Sequence, residues 1–367
     1  MDAFQFFRLV LGLIASFFLL YFMIYYSTVY SSMQEDTQRM MITENFRKAV
    51  NDVYATGTSI TYDDFSRLDF DLIFDGSRDP AVLSSKTGQS LIRRTLVFVP
   101  GGELAIKKES IDLGWHRFGF VEALPEMTIL LNFRDSSQAA RDLARSLVSM
   151  FPNTVGSEPS IRFGFCSGAA VEKPCGGAFC EGYSIASAIS GAGSMSPCTA
   201  EPGQYRIVTI SGSCSGSDEG VCIETPGAQG YGHATVNSTS YLHKNLLDLM
   251  ALIAGSGEST PYGPMHDSLF HYVNREFAQE LAYMAELEYH RSALIDTKLP
   301  AGSEAKKDCG PHYDEFRAAM QSIKNIASQE GYYTDGMLVA SLMEQLSDAS
   351  DSYTQLVNLG CEYLVEP

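Results

Sequence analysis

The sequence is short of positive charge. It holds 26 Lys and Arg against 44 Asp and Glu, a formal net charge of −18, and basic residues never run to more than two in succession. Phosphate recognition depends on clustered Lys and Arg, so nucleic acid is not an expected partner. G-x-x-x-x-G-K-[ST], H-E-x-x-H and a G-x-G-x-x-G opening a helix are all lacking, so nucleotide and zinc-protease readings lose their usual signals. There is no C-x-x-C pair; the tightest cysteine spacing is Cys175-x4-Cys180, too open for close zinc ligand pairs. No metal and no cofactor is therefore expected. A second long apolar run, a hydrophobic C-terminal tail and a solenoid repeat are missing too, which leaves at most one membrane span.

That span is LVLGLIASFFLLYFMIYY, Leu9 to Tyr26, eighteen residues without a charge. At about 1.5 Å per residue, with the flanking aromatics, it matches the roughly 30 Å of a bilayer's hydrocarbon core. Tyr21, Tyr25, Tyr26 and Tyr30 crowd its C-terminal end, where amphipathic rings settle at headgroup level. A cleaved signal peptide usually has a shorter apolar region ending in small residues, so an uncleaved anchor is the better reading. Arg8 precedes the run, while Glu35 and Asp36 follow it before Arg39, which favours a cytoplasmic N-terminus and an exported remainder.

All eight cysteines lie beyond this segment: Cys166, Cys175, Cys180, Cys198, Cys214, Cys222, Cys309 and Cys361. An even, clustered set on an exported side reads as disulfides. Helical spacing runs over Pro311 to Ser328 and over Met337 to Leu359, with GYYTD between, which predicts an antiparallel pair of helices. Cys309 before the first and Cys361 after the second reach the same end and are expected to bond. The other six allow fifteen connectivities, and sequence does not choose among them.

Past the anchor, Ile42, Phe46, Ala49, Val50 and Val53 make a helical stripe ended by Gly57, so the apolar run and the stripe can form one helix of about 50 residues. This shape resembles the first helix of type IV pilins, which packs in a filament core and carries a globular head. Residues 5–54 would then pack against other copies, and charged substitutions at Ile42, Phe46 or Val50 would block assembly without unfolding the head. The chain departs from that pattern at Gly12, which lies inside the apolar run with no Glu after it.

From Ser59 the pattern turns to strands. TLVFV, PGG and ELAIK read as a hairpin. MTILLNF, a helix capped by Asp135 and stopped by Pro152, and SIRFGF read as a βαβ unit. Residues 166–235 are rich in Gly, Ser and Cys and predict stapled loops around YRIVTI. Leu242 to Ala254 and His266 to Ile295 read as helices. Asn237-Ser-Thr239 is a glycosylation sequon suited to an exported surface, although one sequon in a chain of this length is close to chance.

Gly164-Phe-Cys-Ser-Gly168 and Gly212-Ser-Cys-Ser-Gly216 each follow a strand and mimic a nucleophile elbow, but neither has room for the helix an elbow requires. The second also resembles the cysteine region of legumain-like and caspase-like peptidases, whose catalytic His sits upstream in a His-Gly pair. Only His116 lies upstream here, His233 lies downstream, and no His-Gly pair occurs. Both cysteines are better read as staple points, close enough to share a disulfide network if their strands are neighbours. In the His266 helix, Glu286 and His290 stand one turn apart and Glu276 and Glu280 likewise, but no Glu-x-x-His pair elsewhere completes a metal site, and all are expected on the solvated face.

The expected fold class is α+β: an N-terminal transmembrane helix, a mixed β-sheet ectodomain with helical cover, a Cys-rich loop region and a C-terminal helical hairpin. The expected organisation is an anchor over 1–32, an amphipathic helix or stalk over 33–57, a disulfide-rich ectodomain over 58–235 and an acidic helical region over 236–367. The expected role is structural, adhesive or assembly-related at a cell surface, with the bilayer as a partner through residues 5–30 and other surface proteins, including self, as the rest. A pilin-like filament subunit and an extracytoplasmic hydrolase with unknown catalytic residues are the alternatives.

Overall fold

The computed structural model describes residues 3–62, 73–75, 81–85, 88–92, 96–98, 104–125, 127–134, 137–150, 161–167, 170–171, 175–176, 205–215, 220–225, 231–257, 259–260 and 263–361. Within them the chain is a mixed α+β protein. Helix α1 (Ala3–Thr56) is a single element of 54 residues. It contains no proline, and its one glycine, Gly12, is offset by long straight-chain and aromatic neighbours. Gly57, at φ +72°, ends it by donating its N–H to the Val53 carbonyl at 2.8 Å, a left-handed cap that a side chain would strain.

The last turns of α1 lie on a four-stranded sheet. Strands β1 (Ile60–Tyr62), β5 (Leu96–Phe98), β6 (Leu104–Asp112) and β7 (Arg117–Pro125) are ordered β1-β6-β7-β5. A separate antiparallel sheet is made by β2 (Ile73–Asp75), β3 (Ala81–Ser85) and β4 (Gly88–Ile92). Phe46, Val50 and Val53 are buried against the four-stranded sheet, and Phe46 meets the Tyr62 ring edge-on at 5.5 Å. The Tyr62 hydroxyl donates to the Ile42 carbonyl at 2.8 Å, and Lys108 Nζ donates to the Tyr54 carbonyl at 2.8 Å. Strand alternation sends Phe118 and Phe120 to the opposite face, where Phe118 meets the Phe277 ring at 4.9 Å.

The expected PGG hairpin is not formed. β5 and β6 both pair with β7, β5 in parallel and β6 antiparallel. The hairpin closes instead through Leu113-Gly-Trp-His116, between Asp112 and Arg117. Asp112 Oδ1 accepts the Gly114 N–H at 2.9 Å, and Gly114 has φ +83°. A Cβ there would come within 2.2 Å of the Ser350 hydroxyl, so the turn needs glycine twice over.

A third sheet is ordered β10-β9-β8-β12-β13-β14-β15, with β11 also on β9. Its strands are β8 (Met127–Phe133), β9 (Ile161–Ser167), β10 (Ala170–Val171), β11 (Cys175–Gly176), β12 (Tyr205–Ser211), β13 (Val221–Glu224), β14 (Gly232–Val236) and β15 (Thr239–His243). β9, β8, β12 and β13 run parallel; β14 and β15 finish the sheet as an antiparallel hairpin. The βαβ unit is β8, α2 (Gln138–Met150) and β9. Ser137 accepts the Ala140 N–H at 3.1 Å and so caps α2; the expected cap, Asp135, lies outside the described residues.

The region expected to be stapled loop supplies central strands from Tyr205 onward, with Val208, Ile210, Val221, Ile223, Ala234 and Val236 fully buried. β13 is only four residues long, and β14 alternates buried with exposed or half-buried residues, so neither carries a long apolar run. The helix expected from Leu242 divides likewise: β15 takes residues to His243, Asn245 accepts the Asp248 N–H, and α3 (Leu246–Gly255) begins behind that cap. β16 (Ser259–Thr260) and β17 (Gly263–Pro264) form a small ladder before α4 (Met265–Lys298).

Helices α5 (Glu304–Ala327) and α6 (Gly336–Asn358) follow, joined through a 3-10 turn at Tyr332–Thr334. α5 begins two turns before the expected Pro311, because Ser303 caps it by accepting the Lys306 N–H at 3.1 Å. Pro311 is therefore inside the helix, and Cys309 is within it too.

Candidate functional site

Two parts of one helix carry different surfaces. From Val10 through Tyr30 the described side chains of α1 are exposed, Leu13, Phe17 and Met23 among them, and the helix contains an eighteen-residue window of mean hydropathy 1.9. By length and composition this helix can cross a membrane, a test that signal sequences near an N-terminus also pass. From Thr43 to Val53 the same helix is part of the head's core: Thr43 is 4% exposed, Phe46 1% and Val53 1%. Ile42, Phe46 and Val50 therefore cannot be the filament-packing positions expected from the sequence, since a charge at Phe46 or Val50 would enter the core. A helical stripe alone does not say which neighbour covers it.

Two disulfides are present among the described residues. Cys309 is joined to Cys361, tying the start of α5 to the end of α6 across 52 positions. Cys214 is joined to Cys222, tying the end of β12 to β13 across 8. That bond removes Cys214 as a thiol nucleophile. β9 and β12 flank β8 and do not pair with each other, so the strands carrying Cys166 and preceding Cys214 are not the neighbours the shared network required. The bonding of Cys166, Cys175, Cys180 and Cys198 lies outside what is described. The sequon sits at the tip of the β14–β15 hairpin, where Asn237 (φ 48°) and Ser238 (φ 69°) form the two-residue turn and both are exposed.

The α4 helix does not carry its titratable groups as expected. Glu286 is exposed and paired with Lys324 at 2.8 Å, and His290 is exposed, but Glu276 and His266 are buried. His266 stands edge-on to the Tyr241 ring, and burial pushes its pKa down. Among the described residues no three of His, Cys, Asp and Glu gather as a metal site.

Sequence reading missed two polar groupings. The first is wholly buried. Lys244 Nζ lies 3.1 Å from Asp248 Oδ2 and donates also to Asn274 Oδ1, while Asn274 Nδ2 donates to Asp248 Oδ1 at 3.0 Å. The ammonium faces the rings of Phe277 and Tyr332 at 5.4 and 5.6 Å. Desolvation pulls the Lys244 pKa down, with Asp248 opposing. The network ties the start of α3 to α4. Lys244 and Asp248 stand at i, i+4, the one signal available beforehand.

The second lines a cleft of about 770 Å³ between the start of α4 and the α5–α6 connection. Asp267 Oδ1 accepts from the Tyr241 hydroxyl at 3.2 Å and lies 3.3 Å from His271 Nε2, and His271 Nδ1 is 3.0 Å from the Tyr333 hydroxyl. Burial raises the pKa of both Tyr241 and Tyr333, so neither phenol ionises readily as a nucleophile. A carboxylate, an imidazole and two neutral phenols in a row can hold a proton and fix the α4 start to the connection. No family model, curated protein or solved structure matches the chain.

Proposed function

We propose that the chain is a single-pass, membrane-anchored protein whose extracytoplasmic head serves a structural, adhesive or assembly role at a cell surface. One observation carries the reading: a single unbroken helix is exposed and apolar over its first half and built into a folded head at its end. Such a helix fixes the head to whatever the apolar half enters, because no hinge separates them. Two disulfides beyond the apolar half support export, since such bonds persist in oxidising compartments. The −18 charge suits an exposed, soluble surface. The bilayer would be met through residues 5–30, and other surface proteins through the head.

Carbonate extraction of cells followed by N-terminal sequencing tests this. The protein is expected to stay in the membrane fraction with residues 3–31 intact, and its head to be digested by protease added outside whole cells. A soluble product starting after residue 31, or a head protected in intact cells, would overturn the reading. The unbroken helix also favours a pilin-like filament subunit as a second reading, in which the apolar half lies among copies of itself. Electron microscopy of material sheared from cells distinguishes the two, since only the second gives filaments containing this chain.

A further inference from the structure

A lone sequon carries weight only where the fold presents its carboxamide to solvent. Of the nine asparagines, Asn237 alone has Ser or Thr two positions on. Several of the others serve the fold directly. Asn245 caps α3, Asn274 bonds Asp248 and the Phe270 carbonyl, and Asn132 donates to the buried Thr209. Among the described residues no hydrogen bond engages the Asn237 carboxamide. Residues 237–240 are exposed in succession, set between buried Val236 and buried Tyr241. Val236 pairs with Thr239, so only Asn237 and Ser238 bridge β14 and β15, and both have positive φ. Such a turn asks for left-handed residues, which glycine supplies with less strain; it does not ask for a hydroxyl two positions on.

We propose that Asn237 carries an N-linked oligosaccharide. The proposal rests on the anchored reading above, because only an exported head meets the donor and its membrane-bound transferase. The donor is an oligosaccharide carried on a polyprenyl phosphate or pyrophosphate. Asn237 Nδ2 attacks the anomeric carbon of the first sugar, and a carbon–nitrogen bond forms. The bond from that carbon to the phosphate oxygen breaks, and the lipid phosphate leaves with the electron pair. One carboxamide hydrogen departs as a proton, and nothing is oxidised or reduced. The hydroxyl of Thr239 is the second feature of the motif that the transferase reads. In the folded head that hydroxyl is hydrogen-bonded to the Tyr241 phenol, so transfer precedes closure of the β14–β15 hairpin. The finished sugar stands at the exposed tip, where a bulky hydrated group displaces no buried side chain.

The test is peptide mass spectrometry of the full chain extracted from the membranes of the cells that make it. Protease added outside intact cells reports export of the head in the same preparation. The peptide spanning Val236 to Tyr241 is expected to carry a sugar mass that N237G and N237Q remove completely. T239S keeps a hydroxyl for both the transferase and Tyr241, and is expected to retain the sugar. Glycine suits the φ of 48° at this position, so N237G should leave the head's near-ultraviolet circular dichroism unchanged. An exported head whose tip peptide is unmodified would overturn the glycan and leave the anchor intact. A sugar that survives N237G would belong to a hydroxyl of the tip and would overturn the assignment too. A head protected from protease in intact cells would overturn the anchor and the glycan together.

Discussion

Glu122 shows what a single residue can hide. It lies in β7 between Val121 and Ala123, wholly buried, and neither carboxyl oxygen has a hydrogen-bond partner. Desolvation drives its pKa well above 4.5; Lys107, its cross-strand partner, pulls the other way, and Glu109 adds to the rise. The folded state thus keeps a proton that the unfolded chain releases once pH passes 4.5. Stability is untouched below that pH and falls as pH rises from it toward the folded-state pKa. Glu122→Met removes an unsatisfied polar group and the proton linkage at once. It is expected to raise the unfolding free energy by about 1–3 kcal/mol at pH 7, with the gain shrinking toward pH 4. Denaturant titrations at the two pH values check this, and an unchanged pH profile would acquit Glu122. Nothing in the string RFGFVEALP marks this glutamate as buried, because a charge among apolar residues is also how a half-solvated strand reads.

Among the elements, those with a long regular period were legible. α1, α4 and α6 declare themselves by spacing, and β8, α2 and β9 by a strand, a helix and a strand in succession. The differences share a cause: local signals point one way where tertiary pairing decides the other. PGG looked like a turn between paired strands, yet both strands prefer β7. Pro311 looked like a first helical residue, yet Ser303 caps the helix earlier. The polar cleft was invisible because Tyr241, Asp267, His271 and Tyr333 come from separated parts of the chain. Of the functional surface, the apolar run was plain, but which stripe of α1 the head covers was not. The disulfides allow a test at this scale. In the chain-entropy model the Cys309–Cys361 loop contributes about 4 kcal/mol and the Cys214–Cys222 loop about 2.5 kcal/mol. Replacing both cysteines of a pair by serine should therefore lower the denaturation midpoint more for the longer loop. The reverse order would mean that strain relief or denatured-state structure outweighs loop closure here.

For the molecule as a whole, α1 is at once an anchor and a part of the head, and the division can be placed between two residues. Met41 is the last exposed apolar residue before the head, and Thr43 is the first buried one. A chain starting at Gln38 keeps every buried position of α1 and discards the apolar half. It is expected to be soluble, with an unfolding free energy within about 0.5 kcal/mol of the detergent-extracted full chain, since none of the described positions lost is buried. A chain starting at Gly57 loses Phe46, Val50 and Val53 from the face of the four-stranded sheet. At about 1.5–3 kcal/mol for each of the three buried side chains, the loss of roughly 4.5–9 kcal/mol is a large part of the 5–15 kcal/mol stability of an ordinary domain. Trp115 reports on both, being the one tryptophan, buried at the β6–β7 turn with its ring 6.4 Å from Phe316. Its fluorescence should show one cooperative transition in the first chain and none in the second. If the Gly57 chain folds cooperatively, α1 is a detachable tether and the head's core is complete without it. If it does not, the rigid junction is required for folding, and a movement of the apolar half must be felt in the head.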